Sequence, residues 1–340
     1  MIDEPTTGTL DEQTDRQTDG QTDLPTDGRA DRQTDGLPDG LATVPHSGIV
    51  AIVGRTNAGK STLVNRIVGE KVSIVTPVVQ TTRNNIHAIL TDDRGQLVLI
   101  DTPGLHKSQS RLGTVMNKMA RSAIEGVDTL LVVFDGSRDP QLEDDGWMRR
   151  ALFAESKVVF LLNKRDAGLR REAFEKLWAD IQAEKEHTRD VSWMECSAAS
   201  GTGVAEVVQA LFESLPPGPL LYDEETLTDH PRKIAIADAI REKYFLLLDD
   251  ELPHSIGIKV DEIREEGETW YVDATLYVKR FGQKGIVLGP KGRMLRAVKR
   301  RAEPELSEAY GVDVHLNIWV RVEKDWDENH FLLKQMGYVK

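Results

Sequence analysis

Eight consecutive residues, Gly54, Arg55, Thr56, Asn57, Ala58, Gly59, Lys60 and Ser61, fit the pattern G-x-x-x-x-G-K-[ST], directly after the apolar run Ile49 to Val53. The residue types state the chemistry. Gly54 and Gly59 let backbone N–H groups curl around a β-phosphate, Lys60 reaches the β- and γ-oxygens, and Ser61, followed by Thr62, sets a hydroxyl on Mg2+ at a helix N-terminus. A glycine-rich turn that binds nothing is the other reading, and the complete pattern in a strand-then-helix context weighs against it. Asp101, Thr102, Pro103 and Gly104 follow a second apolar run, Leu97 to Ile100. Asp101 can approach the metal through water, and Gly104 can offer its N–H to a γ-phosphate. Alone, Asp-x-x-Gly reads equally well as an ordinary turn.

Base selection follows from Asn163, Lys164, Arg165 and Asp166, again at the end of an apolar run. The Asp166 carboxylate can accept both N1–H and the 2-amino group of guanine, a pair of donors that adenine lacks. Asn163 can bond the N7 side and tie loops together, while the Lys164 stem lies over the ring. Ser197 and Ala198, after Cys196, supply a backbone N–H for the guanine O6. Asn-Lys-x-Asp by itself is as consistent with a helix cap. Three elements in one order point to a guanine nucleotide, GTP or GDP.

These residues need a scaffold that brings strand ends together. The apolar runs Ile49 to Val53, Leu97 to Ile100, Leu130 to Phe134 and Val158 to Leu162 read as parallel strands buried on both faces. Helix-like stretches such as Arg170 to Glu186 separate them, which predicts a doubly wound, mostly parallel α/β sheet over residues 48–217. Pro216, Pro217, Gly218 and Pro219 end it, and residues 218–231 read as a linker. A smaller α+β unit is expected over 232–323: a helix to Leu248, strands at Ile256 to Glu262 and Thr269 to Val278, a glycine-punctuated helical region to Leu306, and a strand at Val312 to Val322. Residues 324–340 read as a C-terminal tail.

The net charge of −13 over 340 residues is regional. Residues 1–47 hold eleven acids against three arginines, with Asp recurring every four positions from Asp15 to Asp39. A helix would stack those charges and bury almost nothing, so a disordered tail is expected, with an acidic interaction arm as the rival reading. Between Lys279 and Arg301 there are nine Lys/Arg and no Asp or Glu, a field that attracts phosphate backbones. No run is long enough for a membrane span, the acidic start is unlike a signal peptide, and the single Cys196 excludes an internal disulfide. A cytoplasmic protein is expected.

With these motifs in this order the chain resembles the GTPase superfamily and, within it, the Era family. Gln80, Thr81, Thr82 and Arg83, then Leu105 and His106 after Gly104, and Ala199 after Ala198 match that family's pattern. So do Leu252 to Ser255, Gly285 to Gly292, Trp319 to Val322 and Lys324 to Trp326, so that the likeness spans about Gly48 to Val339 and omits the acidic tail. The family usually has Pro where Thr56 stands and more often Val at Ala58. The resemblance implies a P-loop GTPase domain followed by a type II KH domain. It implies that Thr82, in a mobile segment from Val72 to Asn84, closes over Mg2+ in the GTP state, with Thr81 as rival for that role. Lys60, Thr82 and Gly104 are then the catalytic set, and Ser61, Thr82 and Asp101 the metal set. Leu105 stands where many small GTPases carry a water-orienting glutamine, so slow intrinsic turnover is expected. Asn57 is similar to an asparagine that holds K+ in related GTPases, and a loop-stabilising amide is its other reading.

Gly289, Pro290, Lys291 and Gly292, followed by Arg293 and Arg296, read as the GXXG loop of a KH domain, whose glycines allow close approach to a sugar-phosphate backbone. A solvated basic helix is the alternative. The family resemblance implies the 3′ region of 16S rRNA as target and a role in maturing the 30S ribosomal subunit. It also implies weak peripheral contact at the inner face of the cell membrane, for which the chain offers basic surface alone. A monomer is expected. An RNA chaperone with a barely catalytic nucleotide site is the rival function.

Overall fold

Strands that are apolar at every position are stable only with both faces covered, and this decides the topology. In the computed structural model, which describes residues 44–76, 82–104, 111–248 and 252–339, they form the middle of a six-stranded sheet. The elements run β1 (His46–Val53), α1 (Lys60–Val68), β2 (Ile86–Asp92), β3 (Gly95–Asp101), α2 (Arg111–Ser122), β4 (Thr129–Asp135), α3 (Leu142–Leu152), β5 (Lys157–Asn163), α4 (Arg171–Lys185), β6 (Ser192–Glu195) and α5 (Val204–Ser214). The sheet order is β2-β3-β1-β4-β5-β6, with all neighbours parallel except β2 and β3.

Alternation along β1 feeds two cores. Val50 and Ile52 pack with Leu63, Val64, Leu211 and Phe212 on one face, while Ala51 and Val53 join Trp147, Phe174 and Trp178 on the other. Antiparallel β2 was not anticipated from the sequence. It is an edge strand whose apolar residues are interleaved with His87, Thr91 and Asp92, and its other side is covered by the segment read as a linker. That segment is pinned. Leu227 O accepts from Ile89 N at 2.9 Å, and Gln96 Oε1 accepts from Leu221 N and Tyr222 N, each at 2.8 Å.

The second sheet follows in the anticipated order: α6 (Arg232–Phe245), β7 (Gly257–Glu266), β8 (Thr269–Val278), α7 (Phe281–Leu288), α8 (Arg293–Tyr310) and β9 (Asp313–Val322). Strand β8 lies between antiparallel β7 and parallel β9, and its alternate residues Val272, Ala274 and Leu276 bury against Ile240, Tyr244, Val287 and Val298. All the described residues belong to one compact unit. The acidic repeat through residue 43 lies outside the described residues.

The segment after β9 is folded, where a tail was expected. Asn329 caps α9 (His330–Gln335) by accepting from Phe331 N at 3.0 Å and Leu332 N at 3.2 Å. Fully buried Trp326 donates Nε1–H to Ser255 O at 3.0 Å, and a Cβ on Gly257 would stand 2.7 Å from its ring, so that position must be glycine. With Leu333, Met336 and Tyr338 it packs on Leu112 and Met116 of α2. The sequence hid this because widely spaced aromatic and apolar residues show no period of either kind. Trp326→Ala should therefore cost about 3–5 kcal/mol in denaturant unfolding, whereas a loss below about 1 kcal/mol would mean the segment is a tail after all.

Candidate functional site

Strands β1, β3, β4 and β5 end side by side, with Ile52 paired to Asp101 and Asp135 to Asn163, so the loops that follow them share one crevice. The loop after β1 turns at Gly54 (φ 149°), Asn57 (φ 60°) and Gly59 (φ 94°). A Cβ on Gly59 would stand 2.2 Å from Asn163 Nδ2, so only glycine lets the two loops meet. Gly59 caps α1 without a side-chain hydrogen bond, which leaves the helix's first N–H groups facing the crevice. The cavity there, about 460 Å3, is lined by Thr56, Asn57, Gly59, Lys60, Ser61, Thr62, Thr82, Gly104 and Lys164 among others.

Lys60 is buried and donates Nζ to Gly54 O at 3.1 Å and Arg55 O at 3.0 Å. Burial pushes its ammonium down to about 8, opposed by the Asp101 carboxylate. Ser61 Oγ donates to Asp101 Oδ2 at 2.6 Å and lies 2.9 Å from Thr82 Oγ1. Burial raises the Asp101 carboxyl, countered by Lys60 and Ser61, and its Oδ1 is buried without a hydrogen bond, the Ser73 hydroxyl standing near but outside bonding geometry. Three convergent hard oxygens, one carrying an unused lone pair, fit Mg2+. Among the described residues no group of three or more His, Cys, Asp or Glu is placed to hold a metal ion. Thr102 is a strut, its Oγ1 donating to Ile52 O at 2.8 Å. Pro103 is buried beside it, and Gly104 sits against the phosphate loop, a Cβ there meeting Thr56 N at 2.7 Å. Thr81 and Leu105 lie outside the described residues.

At the base end, Asn163 Nδ2 donates to Ala58 O at 2.9 Å and its Oδ1 accepts from Ala198 N at 2.9 Å, the loop-tying role expected of it. Ala198 N–H is thus already engaged. An acceptor brought to this loop would have to share that N–H, a point the motif alone does not reveal. Arg165 N donates to Cys196 O at 3.0 Å, closing the base loops on one another. Ser197 Oγ steadies its own turn through Ser200 N at 3.2 Å, and burial pushes the Cys196 thiol up to about 12, leaving it inert. Asp166 is exposed in the short turn Arg165–Ala167 with no partner among the described residues.

Sequence reasoning missed Asp135. At the end of β4 it accepts from Lys164 Nζ at 2.8 Å, Arg55 Nη2 at 3.1 Å and Ser137 Oγ at 2.6 Å. Burial works against its charge, yet the bonds from Lys164 and Ser137, with Arg55 beside them, hold its carboxyl below the usual range. It therefore links the phosphate loop to the base loop. Its signal was only an Asp closing an apolar strand.

The Gly289–Gly292 loop has the backbone its glycines require: Gly289 at φ 68° and Gly292 at φ 73°, with Lys291 also left-handed at φ 53°. A Cβ on Gly289 would lie 2.8 Å from Met294 N. Lys291, Arg293 and Arg296 are exposed and make no ion pair among the described residues, and Pro290 starts the turn into α8. On α7, which leads into this loop, Phe281 (82% exposed) and Ile286 (54%) are exposed apolar side chains. The two loops lie far apart in sequence and belong with different sheets, yet share one folded unit.

Comparison with known proteins finds relatives of both parts of the chain. Residues 49–164 match the family model described as a 50S ribosome-binding GTPase, and residues 251–327 match the KH domain. GTPase Era of Carboxydothermus hydrogenoformans is 38% identical over 296 residues, covering 86% of this chain and 98% of the relative. GTPase Era of Lacticaseibacillus paracasei is 39% identical over 295 residues, covering 86% and 97%. Among solved structures, a variant of Aquifex aeolicus Era bound to GDP·AlF4− superposes with a TM-score of 0.79 at 29% identity, covering 87% of this chain and 100% of that one. A crystal structure of Era with MgGDPNP and nucleotides 1506–1542 of 16S ribosomal RNA gives the same values.

The state of Lys60 yields a pH signature. A lysine that titrates near about 8 without nucleotide is held charged by phosphates, so binding above that pH takes up a proton. Affinity should then fall with rising pH, by up to about tenfold per unit. Calorimetry at alkaline pH in two buffers of different ionisation enthalpy measures the uptake, and equal heats would contradict it.

Proposed function

Because the chain belongs to the Era family of GTPases, we propose that it is a GTP-hydrolysing switch that binds the 3′ region of 16S rRNA and acts in 30S subunit biogenesis. One observation carries the reading: a single folded unit holds a guanine-nucleotide crevice and an accessible GXXG loop with unpaired cations. The relative crystallised with MgGDPNP and 16S rRNA nucleotides supports it. The family description of residues 49–164 names the 50S particle, but it spans the nucleotide domain alone, whereas the likeness to the RNA-bound relative covers 87% of this chain.

Lys60 and the α1 N-terminus hold the phosphates, and Gly104 offers its N–H toward the γ-phosphate. Asp166 accepts from the guanine edge, while Asn163, Lys164 and Ser197 to Ala199 shape the slot around it. Ser61 and Thr82 would hold Mg2+ directly and Asp101 through water; when bound, that ion supplies positive charge at the β- and γ-oxygens. Asn57 on the cavity wall is proposed to face K+, which a comparison of rates in potassium and sodium tests. Apolar Leu105 cannot orient water, so turnover is slow until a partner binds. We divide the chain at 48–217 and 232–323, with 218–231 joining them. No helix among the described residues is long and apolar enough to cross a membrane, and we propose a cytoplasmic monomer with weak peripheral membrane contact through its basic surface.

Two experiments test this. Phosphate release should rise when an RNA of the small-subunit 3′ end is added, and Gly292→Asp, which sets an acid in the RNA loop, should lose that response while keeping the basal rate. Equal rates in all arms would leave the domains uncoupled. Asp166→Asn should weaken GTP binding by about 100-fold or more, because the amide repels one of the two guanine donors, and unchanged affinity would remove Asp166 from the base site.

A further inference from the structure

The residue after Thr82 does not face the nucleotide. Arg83 is 2% exposed and donates Nη1 to Ile256 O at 2.8 Å and Nη2 to His254 O at 3.2 Å, main-chain carbonyls at the entry to β7. Its guanidinium lies between the rings of Phe245 and Trp326, with centroids at 5.9 and 6.0 Å. One ring comes from α6 and the other from the segment beyond β9. A buried guanidinium is costly unless its donors are satisfied, so these partners hold the side chain firmly.

Its backbone is bonded to Thr82, whose Oγ1 stands 2.9 Å from Ser61 Oγ in the metal set. The same stretch of chain is held a second time upstream. Glu242 of α6 accepts from Val75 N at 3.1 Å and from Lys71 Nζ at 2.6 Å, and Lys71 also reaches Glu305 of α8 at 2.9 Å. Both anchors belong to the second sheet and its helices.

We infer that Arg83 is a positioning residue for GTP hydrolysis: the carbonyls of His254 and Ile256 fix it, and it fixes Thr82 over the γ-phosphate side of the metal site. The RNA-binding domain thereby completes the GTP site, which rests on reading that site as above and names the contact that couples it to RNA. A Thr82 held beside Ser61 would meet the γ-phosphate of GTP, which GDP lacks, so the effect is specific to the triphosphate.

The test uses the full chain with Arg83→Ala and Arg83→Lys. Fluorescent GDP and a fluorescent non-hydrolysable GTP analogue are titrated across a Mg2+ series, alongside kcat and KM. In Arg83→Ala, GDP affinity stays within about twofold of wild type, analogue affinity falls about tenfold with a raised Mg2+ requirement, and kcat falls about 10- to 100-fold. Arg83→Lys, which keeps the charge but reaches one carbonyl, recovers part of each. Should the alanine variant not fold, the lysine variant decides by the same GTP-to-GDP ratio. An unchanged ratio and Mg2+ requirement in a folded variant overturns the inference. If wild type itself shows no Mg2+-dependent preference for guanine nucleotides, the reading of the site fails instead.

Discussion

Both ends of the nucleotide crevice are held at a set distance by one side chain. The Asn163 amide donates to the phosphate loop at Ala58 O and accepts from the base loop at Ala198 N, each at 2.9 Å and fully inside the protein. A buried amide satisfied on both sides admits little play, because breaking either bond strands a polar group in a dry interior. The missing side chain of Gly59 is what allows the approach. Asp135 repeats the tie one layer out through Arg55 and Lys164. With the span between phosphates and base preset, binding GTP requires little rearrangement at these loops.

The oxygen cluster of Ser61, Thr82 and Asp101 is built differently. Ser61 and Asp101 are carried by the sheet and the first helix, but Thr82 sits on a strand of chain whose anchors lie in the other domain. Those anchors are unequal in strength. The bonds from Lys71, itself 43% exposed, are screened by solvent, whereas Arg83 is buried among rings and carbonyls. Arg111, at the start of α2, likewise reaches the segment after β9, its N–H donating to Glu328 Oε1 at 2.8 Å. The second sheet's surroundings and the segment after β9 therefore touch the chain next to Thr82 and at the start of α2, while Asn163 and Ala198 are tied within the first sheet's domain.

Sequence by itself determined what is written in local residue chemistry. The Gly54–Ser61 turn, the Asn163–Asp166 and Gly289–Gly292 motifs and most strands of both sheets follow from residue type, spacing and hydrophobic period, because each depends on atoms within a few residues. Thr269 to Val278 even has the observed bounds of its strand. Tertiary structure alone decided the rest. Edge strand β2, the engagement of Ala198 N–H, the link through Asp135, the folding of residues 324–339 and the burial of Arg83 each join positions far apart in the chain. Such contacts are chosen by which surfaces meet in space, and no local period or motif encodes that choice.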